Sequence, residues 1–322
     1  MKAVFIRRYG KLDALEYGDR PEPVPTGRQV LIDVHAASVN PRDWLIREGR
    51  YVFRHLMVRL PQILGSDVSG VVAATGPLAT RFTVGDAVFG MQTPLGGFGG
   101  YAERVAMDER VLARKPAEVS HEEAAAVPCA GLTAWDALVK IGRVWPGAKV
   151  TIVGASGGVG SYAVQLGKAL GATVTGVTST PNVELVRSLG ADTVVDYKTG
   201  RFTDSVRGQD LVFDVFGRES LSSASRVLAS GGRFVTTIPN GRHTAQAVTS
   251  RLWRLVTFGK RPSAHIVLVR TDGANLARIA GLMAEGRVKS VIDTTFPLAE
   301  ARAAHERSRS WRTRGKLVLR VR

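Results

Sequence analysis

The run VTIVGASGGVGSYAVQLGKALG, residues 150–171, restricts the fold more than any other stretch. An apolar, β-branched strand enters a turn carrying Ala155, Gly157 and Gly160, and the turn passes directly into a helix. That spacing is the dinucleotide-binding fingerprint with Ala155 in the place of its first glycine. Gly157 lets the backbone approach a pyrophosphate, and Gly160 lets the helix pack closely on the strand. The helix N-terminus supplies amide donors and a positive dipole. Ser156, Gly158 and Val159 complete the turn and belong to the same expected phosphate cradle.

The rhythm around this turn extends the argument. TVTGVTS is followed by NVELVRSLG, then TVVDY, then DLVFDVFG with SLSSASRVLASG, and finally GRFVTTIP. Strands alternating with helices of about a dozen residues call for a parallel sheet covered on both faces. Before them the chain reads differently. KAVFIRR, QVLIDVHAASV, SGVVAATG, DAVFGM and AERVAM are short β-prone runs punctuated by glycine, proline and aspartate, which suggests a rolled, partly antiparallel sheet. NPRDWLIREG reads as a short helix opened by Pro41 and closed by Gly49. Ser120 and Glu123 form a capping box, and Pro128 must break or offset the helix that follows. Beyond HIVLVR come two helical runs and the strand KLVLRV, whose destination the linear order leaves open.

Length and charge bound the reading. A chain of 322 residues with 44% hydrophobic content holds two globular domains. Its formal charge of +16 favours anionic ligands. No zinc-finger, helix-turn-helix or aromatic RNA-binding pattern accompanies the charge, so no specific nucleic-acid partner is expected. No apolar run reaches the ~20 residues of a membrane span, and Arg7 and Arg8 follow the first apolar run too closely for a secretory signal. A cytoplasmic location is the resulting expectation. SRLWRLVTFGKR could form a basic, aromatic surface helix for anionic lipid. The same residues suit a cover over a cleft or a structural role equally, and membrane association is not expected. The single cysteine, Cys129, excludes an internal disulfide and a four-cysteine zinc site.

The end of the second strand of the repeat selects a nucleotide. An NAD site carries an acidic residue there, about 20 residues past the first turn, to bind the ribose hydroxyls. GVTSTPN has no carboxylate before Glu184, whereas Thr178, Ser179 and Asn182 can donate to a 2'-phosphate without repelling it. The cofactor expected is NADPH. In the alternative, these polar side chains cap a helix starting near Asn182.

With these segments in hand, the chain resembles the medium-chain dehydrogenase/reductase superfamily, in its zinc-free NADPH quinone oxidoreductase-like branch. The resemblance rests on AASVNPRDWLIREG, LGSDVSGVV, VGDAVFG, GGYAERV, AGLTAWDAL, GASGGVG, VRSLGADTVVDY and the closing GKLVL, in that order, and covers nearly the whole length. It implies an α/β protein with a GroES-like, β-rich catalytic domain made from both chain ends around a Rossmann dinucleotide-binding domain, and an active site in the cleft between them. The domains so implied are 1–123 and 270–322 for the catalytic part and 124–269 for the cofactor part. The resemblance also places Tyr197 near the adenosine phosphate and suggests a homodimer through the Rossmann domains. Gly217, the backbone near Thr237, Ile238 and Pro239, and the segment around Ile266 are expected to approach the cofactor.

Zinc-dependent relatives hold their catalytic metal with a cysteine, a histidine and a second cysteine, and the matching positions here are Asn40, Ser66 and Cys129. One thiolate cannot make a three-ligand Lewis-acid site, so no metal is expected and Cys129 reads as a small side chain lining or backing the cleft. Without a metal to steady an alkoxide, alcohol oxidation loses its main support. Conjugated acceptors differ, because hydride adds at a carbon remote from the oxygen and the resulting anion is delocalised. The expected activity is therefore NADPH-dependent reduction of a quinone or an α,β-unsaturated carbonyl. Asn40, Tyr51 and Thr133 are the candidate catalytic side chains, and Asp43 and Asp67 are expected to organise their surroundings. An enoyl-thioester reductase is the nearest alternative, and an NADPH-binding regulatory or structural protein with little turnover is the alternative of another class.

Overall fold

The computed structural model describes residues 1–51, 54–92, 99–238 and 240–322. They form two compact units, Met1–Leu132 with Arg270–Arg322, and Thr133–Val269.

In the first unit the strand Gln29–Val39 is the organising element. It pairs antiparallel with Asp67–Thr75, with Arg104–Asp108 and with Lys316–Arg320. Among the described residues the sheet of which it is part has seven strands, extended by Ile292–Pro297 on one side and by Ala87–Met91 and Leu112–Arg114 on the other. A smaller sheet joins Glu16–Asp19, Lys2–Ile6 and Gln62–Ile63. Val30, Ile32 and Val34 on the long strand are buried together with Val68, Val72 and Val88, which is the period-two pattern of strands packing one face on a core. The short helix Pro41–Arg47 starts at the expected proline, and Gly49 follows it in a left-handed conformation at φ 67°. Ser120 and Glu123 make the expected capping box on His121–Ala126, and a new helix begins at Pro128.

The tail strand Lys316–Arg320 resolves what the sequence left open. Its register, Leu317 opposite Val39 and Leu319 opposite Ala37, makes it part of the first unit's sheet. The chain passes to the second unit after Leu132 and returns to the first at Arg270. Residues 124–132 lie with the first unit rather than the second, because Ala125 and Ala126 pack on Ala36 and Val318. Helical propensity marked a change of rhythm there, and packing put the change of unit one helix later.

The second unit is built on a parallel sheet of six strands among the described residues. From edge to edge the strands are Thr193–Asp196, Thr173–Thr178, Lys149–Val153, Gln209–Asp214, Leu228–Thr236 and Ser263–Ile266. This is the doubly wound order, with the topological switch beside Lys149–Val153. The helix Gly158–Ala169 buries Tyr162, Ala163, Val164 and Leu166. Its approach to the strand needs Gly160, where a Cβ atom would lie 2.0 Å from the Gly154 carbonyl oxygen. Phe202, Val212 and Phe234 anchor a hydrophobic cluster of this unit. The basic, aromatic stretch, residues 250–261, is helical only as far as Val256, where the helix Gly241–Val256 ends, with Trp253 exposed. No helix of the described residues is long and apolar enough to cross a membrane.

Candidate functional site

In the second unit the expected cofactor residues come together along one edge, the carboxyl ends of the parallel strands. Ala155, Ser156, Gly157, Gly158, Val159 and Gly160 follow Lys149–Val153, and Thr178, Ser179 and Asn182 stand at or after the end of Thr173–Thr178. Tyr197 comes directly after Thr193–Asp196, Gly217 follows Gln209–Asp214, and Thr237 and Ile238 follow Leu228–Thr236. Ile266 ends the edge strand. Pro239 lies outside the described residues. In a doubly wound sheet this edge, beside the switch point, is where ligands bind.

The local geometry shows how the edge is made. Gly154 takes φ 87° so that the chain can turn out of the strand. Thr178 is buried, and its hydroxyl donates to Ser156 Oγ at 2.9 Å. Asn182 Nδ2 donates to the same oxygen at 3.2 Å and to Ser179 Oγ at 3.2 Å. Ser156 Oγ thus receives two hydrogen bonds, which leaves its own proton as the one it can give. Asn182 makes no capping bond to the helix Val183–Ser188. Its Oδ1 is buried without a hydrogen-bond partner among the described residues, an acceptor that a ribose hydroxyl would satisfy.

Farther along the edge, Asp196 accepts from the Thr180 hydroxyl at 2.5 Å and from the Lys198 amide at 2.8 Å. Those bonds hold its carboxyl below the usual range. Lys198 lies over the Tyr197 ring, 5.5 Å from its centroid, so a cation accompanies the exposed tyrosine. At the other end Asp214 accepts from the backbone of Phe216, Gly217 and Glu219, and shapes the turn that Gly217 needs. Gly217 has φ 68°, and a Cβ there would lie 2.6 Å from that of Ile238. A glycine-lined turn at a helix N-terminus, with a hydroxyl whose proton remains to be given and an orphaned acceptor, fits an anionic dinucleotide.

The first unit holds a second constellation. Asp67, fully buried, is its centre: Oδ2 accepts from Ser38 Oγ at 3.0 Å, Asn40 Nδ2 at 3.0 Å and the Cys129 amide at 3.2 Å. Ser66 Oγ donates to Oδ1 at 3.3 Å. The structure therefore brings Asn40, Ser66 and Cys129 to one carboxylate. Lys316 completes the group, with Nζ donating to Asn40 Oδ1 at 2.6 Å and to the Val39 carbonyl at 3.2 Å, 4.0 Å from Asp67 Oδ2. Burial, with the Asp67 charge adding to it, pushes the Cys129 thiol up to about 12. A nucleophilic thiolate is disfavoured at such a value.

This donor set does not fit a catalytic zinc. An amide and a hydroxyl stand at two of the three positions where zinc takes nitrogen or thiolate ligands, and both are engaged with Asp67. The described residues contain no group of three or more His, Cys, Asp or Glu able to hold a metal ion.

Asp43 organises the start of the helix that carries Asn40. Its Oδ2 accepts from the Asn40 backbone N–H at 2.8 Å and from the Tyr101 hydroxyl at 2.8 Å. Burial raises its carboxyl to about 6. Tyr51 is half-buried against the first unit's core, with the Arg42 guanidinium over its ring at 5.8 Å. Thr133 is buried in the helix Pro128–Trp135, four residues after Cys129 and on the same helix face. Lys316 was not singled out from the sequence. Its one signal there was membership of the closing GKLVL segment.

Comparison with known proteins bears on both constellations. Residues 26–117 match the model of the alcohol dehydrogenase GroES-like domain, and residues 189–319 match that of zinc-binding dehydrogenase. The chain is 35% identical over 329 residues to the chloroplast envelope quinone oxidoreductase homolog of Arabidopsis thaliana, covering 99% of this chain and 98% of that protein. It is 33% identical to the mitochondrial NAD(P)H oxidoreductase RTN4IP1 of Mus musculus, over 100% of this chain and 89% of the relative. Among solved structures, the quinone oxidoreductase from Coxiella burnetii superposes with a TM-score of 0.87 at 31% identity, covering 100% of this chain and 99% of that one.

Proposed function

The chain belongs to the medium-chain dehydrogenase/reductase superfamily, among its quinone oxidoreductase-like members, and from that premise we propose that it is a metal-free, NADPH-dependent reductase of quinones or α,β-unsaturated carbonyls. That it is an oxidoreductase with a nicotinamide cofactor and a small-molecule substrate follows from its relatives. The choice of NADPH, of acceptor and of a metal-free reaction is our reading. The observation that carries it is the engagement of Asn40 and Ser66 with Asp67, at positions where zinc-dependent relatives place metal ligands.

The bound nicotinamide supplies the hydride. What the chain contributes is binding and orientation. Gly157 and Gly160 open the turn to the pyrophosphate, and the first amides of Gly158–Ala169 face it. Ser156 Oγ would donate a hydrogen bond to the anionic adenosine end, and Asn182 Oδ1 would accept one from a ribose hydroxyl. Lys198, beside Tyr197, adds positive charge suited to a 2'-phosphate. In the first unit the Asn40 amide is the neutral donor to a substrate oxygen that gains charge as hydride adds at a remote carbon. Solvent supplies the final proton.

The test is metal content measured together with NADPH and NADH oxidation on a panel of quinones, enones and enoyl thioesters. NADPH-dependent turnover of a quinone or enone at a zinc stoichiometry near zero is the expected result. Stoichiometric zinc with alcohol-dependent reduction of NADP would overturn the reading. A clear preference for enoyl thioesters would reassign the substrate class.

A further inference from the structure

We propose that Lys316 is a positioning residue of the first-unit site: its ammonium locks the Asn40 side-chain amide in one orientation and polarises it, so that one Nδ2 hydrogen is presented to the substrate oxygen. The inference deepens the reductase reading and rests on it for the identity of that oxygen.

The argument starts from an ambiguity of asparagine. An amide has an acceptor and a donor end of nearly equal size, and a half-turn exchanges them. Here the surroundings permit one answer. Lys316 carries donors only and lies 2.6 Å from Oδ1, while the Asp67 carboxylate is the acceptor 3.0 Å from Nδ2. Turning the amide over would set NH2 against ammonium and oxygen against carboxylate. Of the two Nδ2 hydrogens, one is used by Asp67, and the other has no acceptor among the described residues.

The placement of the ammonium is itself built. Gly315 turns at φ 71° so close to the neighbouring strand that a Cβ would lie 2.1 Å from the Val291 carbonyl oxygen. The next residue, Lys316, enters the strand whose register sets Leu317 opposite Val39, so one further step brings Lys316 beside Asn40. Lys316 is 5% exposed and Asp67 fully buried, at 4.0 Å. A buried ammonium is costly unless its charge is answered, and here Asp67, the Val39 carbonyl and the Asn40 amide answer it. Charge on Oδ1 draws electron density through the amide and strengthens the opposite N–H as a donor. A fixed positive charge thus acts through Asn40 on a site whose donor set does not fit zinc.

The test uses the full chain with the variants Lys316→Met, Lys316→Gln, Lys316→Arg, Asn40→Ala and the double variant Asn40→Ala/Lys316→Met. Three readouts are taken: kcat and KM for NADPH-dependent 1,4-benzoquinone reduction, NADPH affinity by fluorescence, and the Asn40 side-chain amide by NMR of asparagine-labelled protein. Lys316→Met is expected to lower kcat by ~10-fold or more, part of the ~100-fold that loss of a whole oxyanion donor costs. NADPH affinity should stay within about twofold, since the cofactor edge is built elsewhere. Lys316→Arg should recover part of the loss, and the double variant should be no slower than Asn40→Ala alone.

Lys316→Met folded as wild type with unchanged kcat, or a double variant showing the product of the two single losses, overturns the proposal. If Lys316→Met does not fold, Lys316→Gln decides, because it keeps an N–H donor without the charge: reduced kcat supports polarisation, and wild-type kcat overturns it. Should the wild type reduce no quinone or enone, the functional reading fails while the NMR readout still judges Lys316. Asn40 side-chain amide protons shifted from those of a free asparagine, and returning toward them in Lys316→Met, support the positioning role, and wild-type shifts that do not move in that variant overturn it.

Discussion

The Thr178 hydroxyl donates to Ser156 Oγ at 2.9 Å, joining the end of one strand to the glycine turn that follows its neighbour. Twenty-two residues separate them in the chain, and the bond is buried. Thr178 thereby orients the hydroxyl of Ser156 as well as ending its strand at the carboxyl edge of the sheet.

Replacing Ser156 by alanine tests that arrangement. It leaves the buried Thr178 hydroxyl without its acceptor and removes one of the two acceptors of Asn182 Nδ2. The expected cost is about 1–3 kcal/mol in urea unfolding, together with weaker NADPH binding in a fluorescence titration. A Ser156→Ala protein as stable as wild type would show that this network contributes nothing.

The glycines of the turn separate into two kinds. At Gly160 an added Cβ would lie 2.0 Å from the Gly154 oxygen, whereas at Gly157 the nearest atom is 3.5 Å away. Gly160→Ala should cost about 1–3 kcal/mol through forced backbone movement, seen as a lower unfolding midpoint. Gly157→Ala should leave the midpoint nearly unchanged and weaken the nucleotide, because its methyl group intrudes on the space where a pyrophosphate approaches. Equal unfolding midpoints for the two variants would contradict this division.

Cys129 should resist alkylation. With its thiol pushed up to about 12, chiefly by burial, the thiolate fraction at pH 8 is small. Iodoacetamide should modify it ~10³-fold more slowly than a free thiol of ordinary acidity. A rate close to that of free cysteine, with the fold intact by circular dichroism, would show that the site is neither as dry nor as anionic as described.

Acid stability carries a signature of two buried groups. Burial, with the Arg47 charge added, lowers His305 from 6.5 to about 3, so within that window only the unfolded chain holds the proton and stability falls as pH falls. Asp43 acts in the opposite sense. Raised from 3.8 to about 6, it is protonated in the folded chain before the unfolded one, and it adds stability as pH falls through that window. Between about pH 6 and 4 the two oppose. Asp43→Asn removes one of them, so the variant should lose stability on acidification more steeply than wild type, by about 1.4 kcal/mol per pH unit. Parallel unfolding curves at pH 6, 5 and 4 would refute the assignment.

Local chemistry determined much of this protein. The strand Gln29–Val39 was legible in full as QVLIDVHAASV, because alternating burial and β-branching act over neighbouring residues. The glycine turn and the alternating strands specified a parallel sheet, and with it the carboxyl edge where Thr178, Tyr197, Gly217 and Ile266 gather, since strand direction alone fixes which ends share an edge. The family resemblance, carried over residue by residue, implied that Asn40, Ser66 and Cys129 stand where zinc-dependent relatives place their metal ligands, with one cysteine of the three retained.

What only the tertiary structure decided involves partners far apart in the chain. The capping potential of Asn182 gave way to its bonds with Ser156 and Ser179. Residues 124–132 went with the first unit because alanines flat enough to pack on Ala36 and Val318 were available there. Lys316, 276 residues from Asn40, reached it through a strand register that no local pattern encodes. A lone lysine in GKLVL reads as a solvated strand end. It is buried only because the returning strand lands beside Val39, where Asp67 supplies the opposite charge and the Asn40 amide the acceptor, and these compensations exist in the folded chain alone.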